Sequence, residues 1–121
     1  MTDRYVKILQ QGKTILRGLK PRGNAVVALQ DRNEVLDYTV DWSGWLGSDT
    51  ISSVENVVTG PTVSNASNTT TTATFRLSGS SSGFLEHRIT TAAGRIKELM
   101  VLLEVDGAPI VSDYGYRVRL T

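Results

Sequence analysis

The chain has 121 residues, 40% of them apolar, with a formal net charge of +1 and no cysteine. That length suits one domain of ordinary size with flanking segments. The near-zero charge excludes a bulk electrostatic pull toward nucleic acid or membrane, and the missing thiols exclude disulfides, thiolate metal sites and cysteine nucleophiles.

The opening residues, MTDRYVKILQQGK, lack the apolar run of a secretory signal. No segment reaches the roughly 20 apolar residues that cross a bilayer as a helix. Synthesis in a reducing cytoplasm is the expectation. Residues 1–30 carry six Lys/Arg and one Asp, a net of +5, whereas 31–121 carry seven basic and eleven acidic side chains, a net of −4. That split predicts a basic, extended N-terminal arm over 1–30, or extra strands there, beside a folded body. Three β-like pieces, RYVKIL, KTILRG and NAVVAL, are broken at Gly12 and at Lys20-Pro21.

The body is expected over 31–106. Leu36, Tyr38, Val40 and Trp42 alternate with Asp37, Thr39 and Asp41, the period of two that marks a half-buried strand. Trp42 is placed in the core and the aspartates in water, with Trp45 in the turn between Gly44 and Gly47. The run TISSVENVV stops at Gly60-Pro61, and Ala73, Phe75 and Leu77 then alternate with Thr72, Thr74 and Arg76. After the turn GSSSG (79–83), Leu85, His87 and Ile89 alternate with Glu86 and Arg88. TAAGR (91–95) reads as a hairpin loop with Gly94 left-handed. Ile96–Val105 contains good helix formers, but the hairpin before it and Asp106-Gly107 after it favour a central strand. Short strands at this spacing predict an all-β sandwich with an extended C-terminal tail over 107–121.

No catalytic, cofactor or metal site is expected. GSSSG matches a hydrolase nucleophile elbow by pattern, but that chemistry needs a strand-to-helix turn and a later histidine, and the single His87 follows directly on the next strand. One histidine cannot build a zinc site. Asp37 and Asp41 lie about 13 Å apart along one strand at ~3.3 Å per residue, too far to share an ion. Thr62–Thr72 has seven hydroxyl residues and no charge, as expected of strands with a polar outer side.

The segments EVLDYTVDWSGWLGSDTISS, TVSNASNTTTTATFRLSG and HRITTAAGRIKELMVLLEV resemble small tailed-phage virion proteins, the fibre-to-tail adaptor family. The resemblance covers Glu34–Val105 and is most specific in DYTVDWSGWL and ITTAAGR. It implies an immunoglobulin-like β-sandwich with extended arms and a structural, non-enzymatic role in the virion tail. Its partners would be other tail or neck proteins and a fibre or spike, with copies in a homo-oligomeric ring assembled in the host cytoplasm. The candidate partner-binding residues are Arg4, Lys7, Lys13, Arg17, Lys20, Arg22, Trp45, Tyr114 and Tyr116. Two further readings are a carbohydrate-binding immunoglobulin-like module, whose platform would be Trp45, Tyr38 and Tyr116, and a head-to-tail connector.

Overall fold

The structure, a computed structural model, describes residues 4–9 and 14–106. Among the described residues, ten strands form two five-stranded sheets packed face to face. In chain order they are β1 (Arg4–Ile8), β2 (Thr14–Arg17), β3 (Lys20–Arg22), β4 (Ala25–Asp31), β5 (Val35–Asp41), β6 (Ile51–Thr59), β7 (Thr62–Asn68), β8 (Thr72–Ser78), β9 (Gly83–Thr91) and β10 (Ile96–Asp106). A single helical turn, α1 (Ser43–Leu46), follows β5 where an irregular turn was expected. The first sheet has the order β2-β1-β5-β8-β7 and the second β3-β4-β10-β9-β6.

Period-two patterning fixes which side chains meet between the layers. From the first sheet, Val6, Tyr38, Val40, Phe75 and Leu77 point inward; from the second come Val26, Ala28, Leu85, Ile89, Val101 and Leu103. Ile96–Val105 is a strand, and a central one, pairing with β4 in parallel and β9 in antiparallel. The strands before residue 31 belong to the sheets: β1 pairs in parallel with β5, and β4 brings Val26 and Ala28 into the core. The hairpin from Thr91 to Arg95 closes with Gly94 at φ 89°, a conformation glycine adopts without steric cost.

The hydroxyl-rich run becomes the edge strand β7, exposed along most of its length, and the turn into β8. Its register shifts between Ser64 and Ser67, where Asn65 takes φ 52°. A bulge of this kind twists an edge away from unwanted pairing. Two buried polar groups cross-brace the layers. The Tyr38 hydroxyl donates to Gln30 Oε1 at 2.7 Å, and Gln30 Nε2 donates to the carbonyls of Leu77 and Glu34, both at 2.9 Å. The second brace lies at the tryptophan corner.

Candidate partner-binding surfaces

Trp42 directly follows β5, ahead of α1, and is fully buried, as the alternation of the strand requires. An indole N–H taken from water needs an acceptor, and Trp42 Nε1 donates to His87 Nε2 at 3.1 Å. That fixes the tautomer: the proton sits on His87 Nδ1, which donates to Asn56 Oδ1 at 2.7 Å. His87 also stacks on Trp42, with centroids 5.7 Å apart. The sequence placed His87 as partly buried, whereas it is wholly enclosed. Burial pushes its pKa down to about 4, because the imidazolium would lose its hydration and could not accept from Trp42.

Trp45, on α1, packs edge-on against Trp42 with an interplanar angle of 72°. The Arg95 guanidinium lies 4.2 Å from the Trp45 ring centre, close enough for a cation–π contact. Arg95 donates through Nη2 to the Leu46 carbonyl at 2.9 Å and through Nε to Asp49 Oδ2 at 3.1 Å. Asp49 Oδ1 in turn accepts the amides of Thr50 (2.9 Å) and Ala93 (3.1 Å). Its pKa is lowered to about 2, first by the Thr91 side-chain hydrogen bond and then by these amides and Arg95. Asp49 therefore faces the hairpin rather than open water, and it ties that hairpin to the tryptophan corner. Gly44 makes the corner possible, since a Cβ there would sit 2.8 Å from the Ile8 carbonyl oxygen and 2.7 Å from Leu9 Cδ2.

The basic residues of the N-terminal strands fall into two groups. Arg4 reaches inward: its guanidinium donates to the carbonyls of Gly18 and Leu29, the latter at 2.6 Å, and bridges the two sheets. Lys7 sits opposite Asp41 in register. Asp41 accepts the Tyr5 hydroxyl at 2.8 Å. Partial burial raises the Asp41 pKa, but hydrogen bonds from Ser43, then Tyr5 and the charge of Lys7, outweigh that and hold it below the usual value. Arg17 lies over the Tyr5 ring at 5.6 Å. Lys20 and Arg22, on β3, are exposed at the rim of the second sheet, with Arg22 3.6 Å from Glu104. Lys13, Tyr114 and Tyr116 lie outside the described residues.

The aromatic platform of the carbohydrate reading is not assembled among the described residues. Tyr38 is inside the sandwich, stacked on Phe75 at 5.5 Å, and Trp45 has Arg95 against its ring. The aspartates have separate local tasks. Asp37 pairs with Arg76 at 2.8 Å, which holds its carboxyl below the ordinary range, while Asp41 and Asp49 serve the contacts above. Sequence reasoning missed the Gln30 brace and the acceptor role of His87, because Leu77 lies 47 residues from Gln30 and Trp42 lies 45 residues from His87, and nothing local marks either contact.

No curated protein matches this chain. Residues 30–104 match the family described as podophage GP4 fiber-tail adaptor protein gp77. The match begins at Gln30 of the buried brace, passes through the tryptophan corner and ends on the central strand. Covering more than half of the sequence, it shows that the chain belongs to this family of phage fibre-tail adaptors.

Proposed function

We propose that this chain is a non-catalytic structural component of the phage tail that joins the tail tube or neck to fibres or spikes through protein–protein contacts. The family match carries this reading, and the build of the molecule supports it. Seven strands pair as β5-β8-β7 in one sheet and β4-β10-β9-β6 in the other. That arrangement supports an immunoglobulin-like assignment, with the first of the seven strands placed parallel beside the last rather than beside the second. A braced sandwich is a rigid spacer. Its sheet edges offer main-chain donors and acceptors to an extended arm of a neighbour.

The single histidine, the base that serine chemistry would require, has both ring nitrogens committed inside the core. Arg17, Lys20 and Arg22 are the basic side chains best placed to meet a neighbour, while Arg4 holds the two sheets together. Copies are arranged in a ring by repeated contacts that close. The test is a phage with a nonsense codon in this gene. Particles are expected to lack fibres or spikes and to regain them when the chain is supplied in trans. Particles carrying a full fibre complement without the chain would overturn the reading.

A further inference from the structure

β10 outruns the strand beside it. On one side β9 accompanies it from its first residue, with Ile96 opposite Thr90. On the other side its parallel neighbour β4 begins only at Ala25, opposite Met100. The turn at Gly23-Asn24, which joins β3 to β4, closes the sheet at that level. Ile96–Leu99 therefore border a notch where no further strand lies among the described residues.

The backbone at this notch has a defined direction. The Thr91 amide donates to the Arg95 carbonyl at 2.8 Å, and hydrogen-bonded pairs then alternate with non-bonded ones along an antiparallel ladder. Lys97 and Leu99 thus turn their main-chain groups to β9, while Ile96 and Glu98 turn theirs into the notch. A groove of about 690 Å³ opens beside them, bordered by Ile8, Gly23, Asn24, Trp42, Ile96 and Leu99. Ile8, Trp42 and Leu99 are buried apolar groups at its floor, whereas Ile96, at 63%, is the most exposed large apolar side chain among the described residues. An unpaired strand segment over an apolar groove takes up an extended peptide by strand addition.

A strand added there presents alternate side chains to the groove and to water. The chain carries such a segment in 107–121, outside the described residues: Tyr116, Val118 and Leu120 alternate with Arg117 and Arg119. With the apolar set over Ile8 and Leu99, an arginine comes beside Glu98 on the outward side, a favourable cross-strand pair. The tail departs from Asp106, at the other end of β10, ten residues or ~33 Å from Ile96. Tyr116 is another ten residues on, again ~33 Å at full extension. A chain's own tail thus reaches its own notch only without slack, whereas a neighbour placed end to end receives it directly.

From the notch, its groove and this pattern we infer that residues 107–121 of one copy add a strand to the next copy, with Tyr116–Leu120 alongside Ile96–Glu98. The inference rests on the adaptor reading and deepens it by naming a head-to-tail contact, the kind that closes a ring.

Hydrogen exchange and sedimentation velocity test it together. A chain ending at Asp106 keeps every described residue. A synthetic peptide of residues 107–121 is expected to bind this shortened chain and to slow exchange at the Ile96 and Glu98 amides, but not along the β7 edge. Val118→Asp in the peptide is expected to weaken binding at least about tenfold. The full chain is expected to form oligomers that both the shortening and Val118→Asp abolish, with circular dichroism checking that each variant folds. Peptide binding without protection of Ile96 and Glu98, no binding at all, or oligomers that survive the shortening would overturn the inference. So would a monomeric full chain whose Ile96 and Glu98 amides are already protected, since its own tail would then fill the notch. Fibred particles built with the shortened chain would sink this contact and leave the adaptor role standing. Fibred particles without any copy of the chain would sink that role instead.

Discussion

Lowering the pH from 6.5 to 4 attacks the core at one named group. The folded chain holds His87 neutral down to about 4, against an ordinary value of 6.5, whereas the unfolded chain takes up the proton near 6.5. Between those values the unfolded state binds more protons, so stability falls as the solution is acidified. At 1.36 kcal/mol per pH unit the full difference is about 3 kcal/mol, of which roughly 2.5 is lost by pH 4.5. That is a large part of the total for a domain of this size. The depressed carboxylates Asp37, Asp41 and Asp49 change little above pH 4.5, since most of their contribution is lost as pH falls from near 3.8 toward their lower folded values. Urea unfolding followed by tryptophan fluorescence at pH 7, 6, 5 and 4.5 reads the change directly. His87→Phe is the control. It keeps an aromatic ring beside Trp42 and Phe75, and leaves Trp42 Nε1 and Asn56 unpaired. At neutral pH it costs about 1–3 kcal/mol for each orphaned group, but its stability is flat between pH 6.5 and 4.5. An equal pH slope in wild type and variant, or none in wild type, would refute the buried neutral imidazole.

Tyr38→Phe strips Gln30 Oε1 of its donor and is expected to cost about 1–3 kcal/mol in denaturant unfolding with an unchanged m-value. Leu77→Ala, at the centre of the sandwich, should cost about 2–5 kcal/mol by the same measurement. Gly44→Ala forces the tryptophan corner away from Ile8 and Leu9, and is expected to lower the thermal midpoint and alter the near-ultraviolet circular dichroism of the indoles. Asp49→Asn removes the charge that Arg95 grips; hydrogen exchange at the Thr50 and Ala93 amides should speed up, while the β10 amides stay protected.

Much of this architecture is legible in the sequence because period two is a local signal. The alternation from Leu36 to Trp42 and that of Ala73, Phe75 and Leu77 assign inward faces without any knowledge of partners. The fate of Ile96–Val105 turns on its neighbours: Lys97, Glu98, Leu99 and Met100 suit a helix, and the hairpin at Gly94 decides for a strand. Pairings between distant segments leave no such mark. Nothing local announces that β1 will lie parallel to β5 or β4 parallel to β10, so the basic N-terminal stretch reads as an arm or added strands with equal ease. Arg4 looks like a free cation for the same reason, since the Leu29 carbonyl that occupies it is 25 residues away. The apolar residues on the outer side of β10 are visible as Met100 and Leu102, but the ion pairs of Glu104 with Arg22 and of Glu98 with Arg88 across that face require the sheet.

The most direct test of the adaptor account is a cryo-electron microscopy map of the intact particle. The account predicts density for two packed five-stranded sheets at the junction between tail and fibre or spike, in contact with both. A map in which that junction is built entirely from other chains, with this one elsewhere or missing, would contradict it.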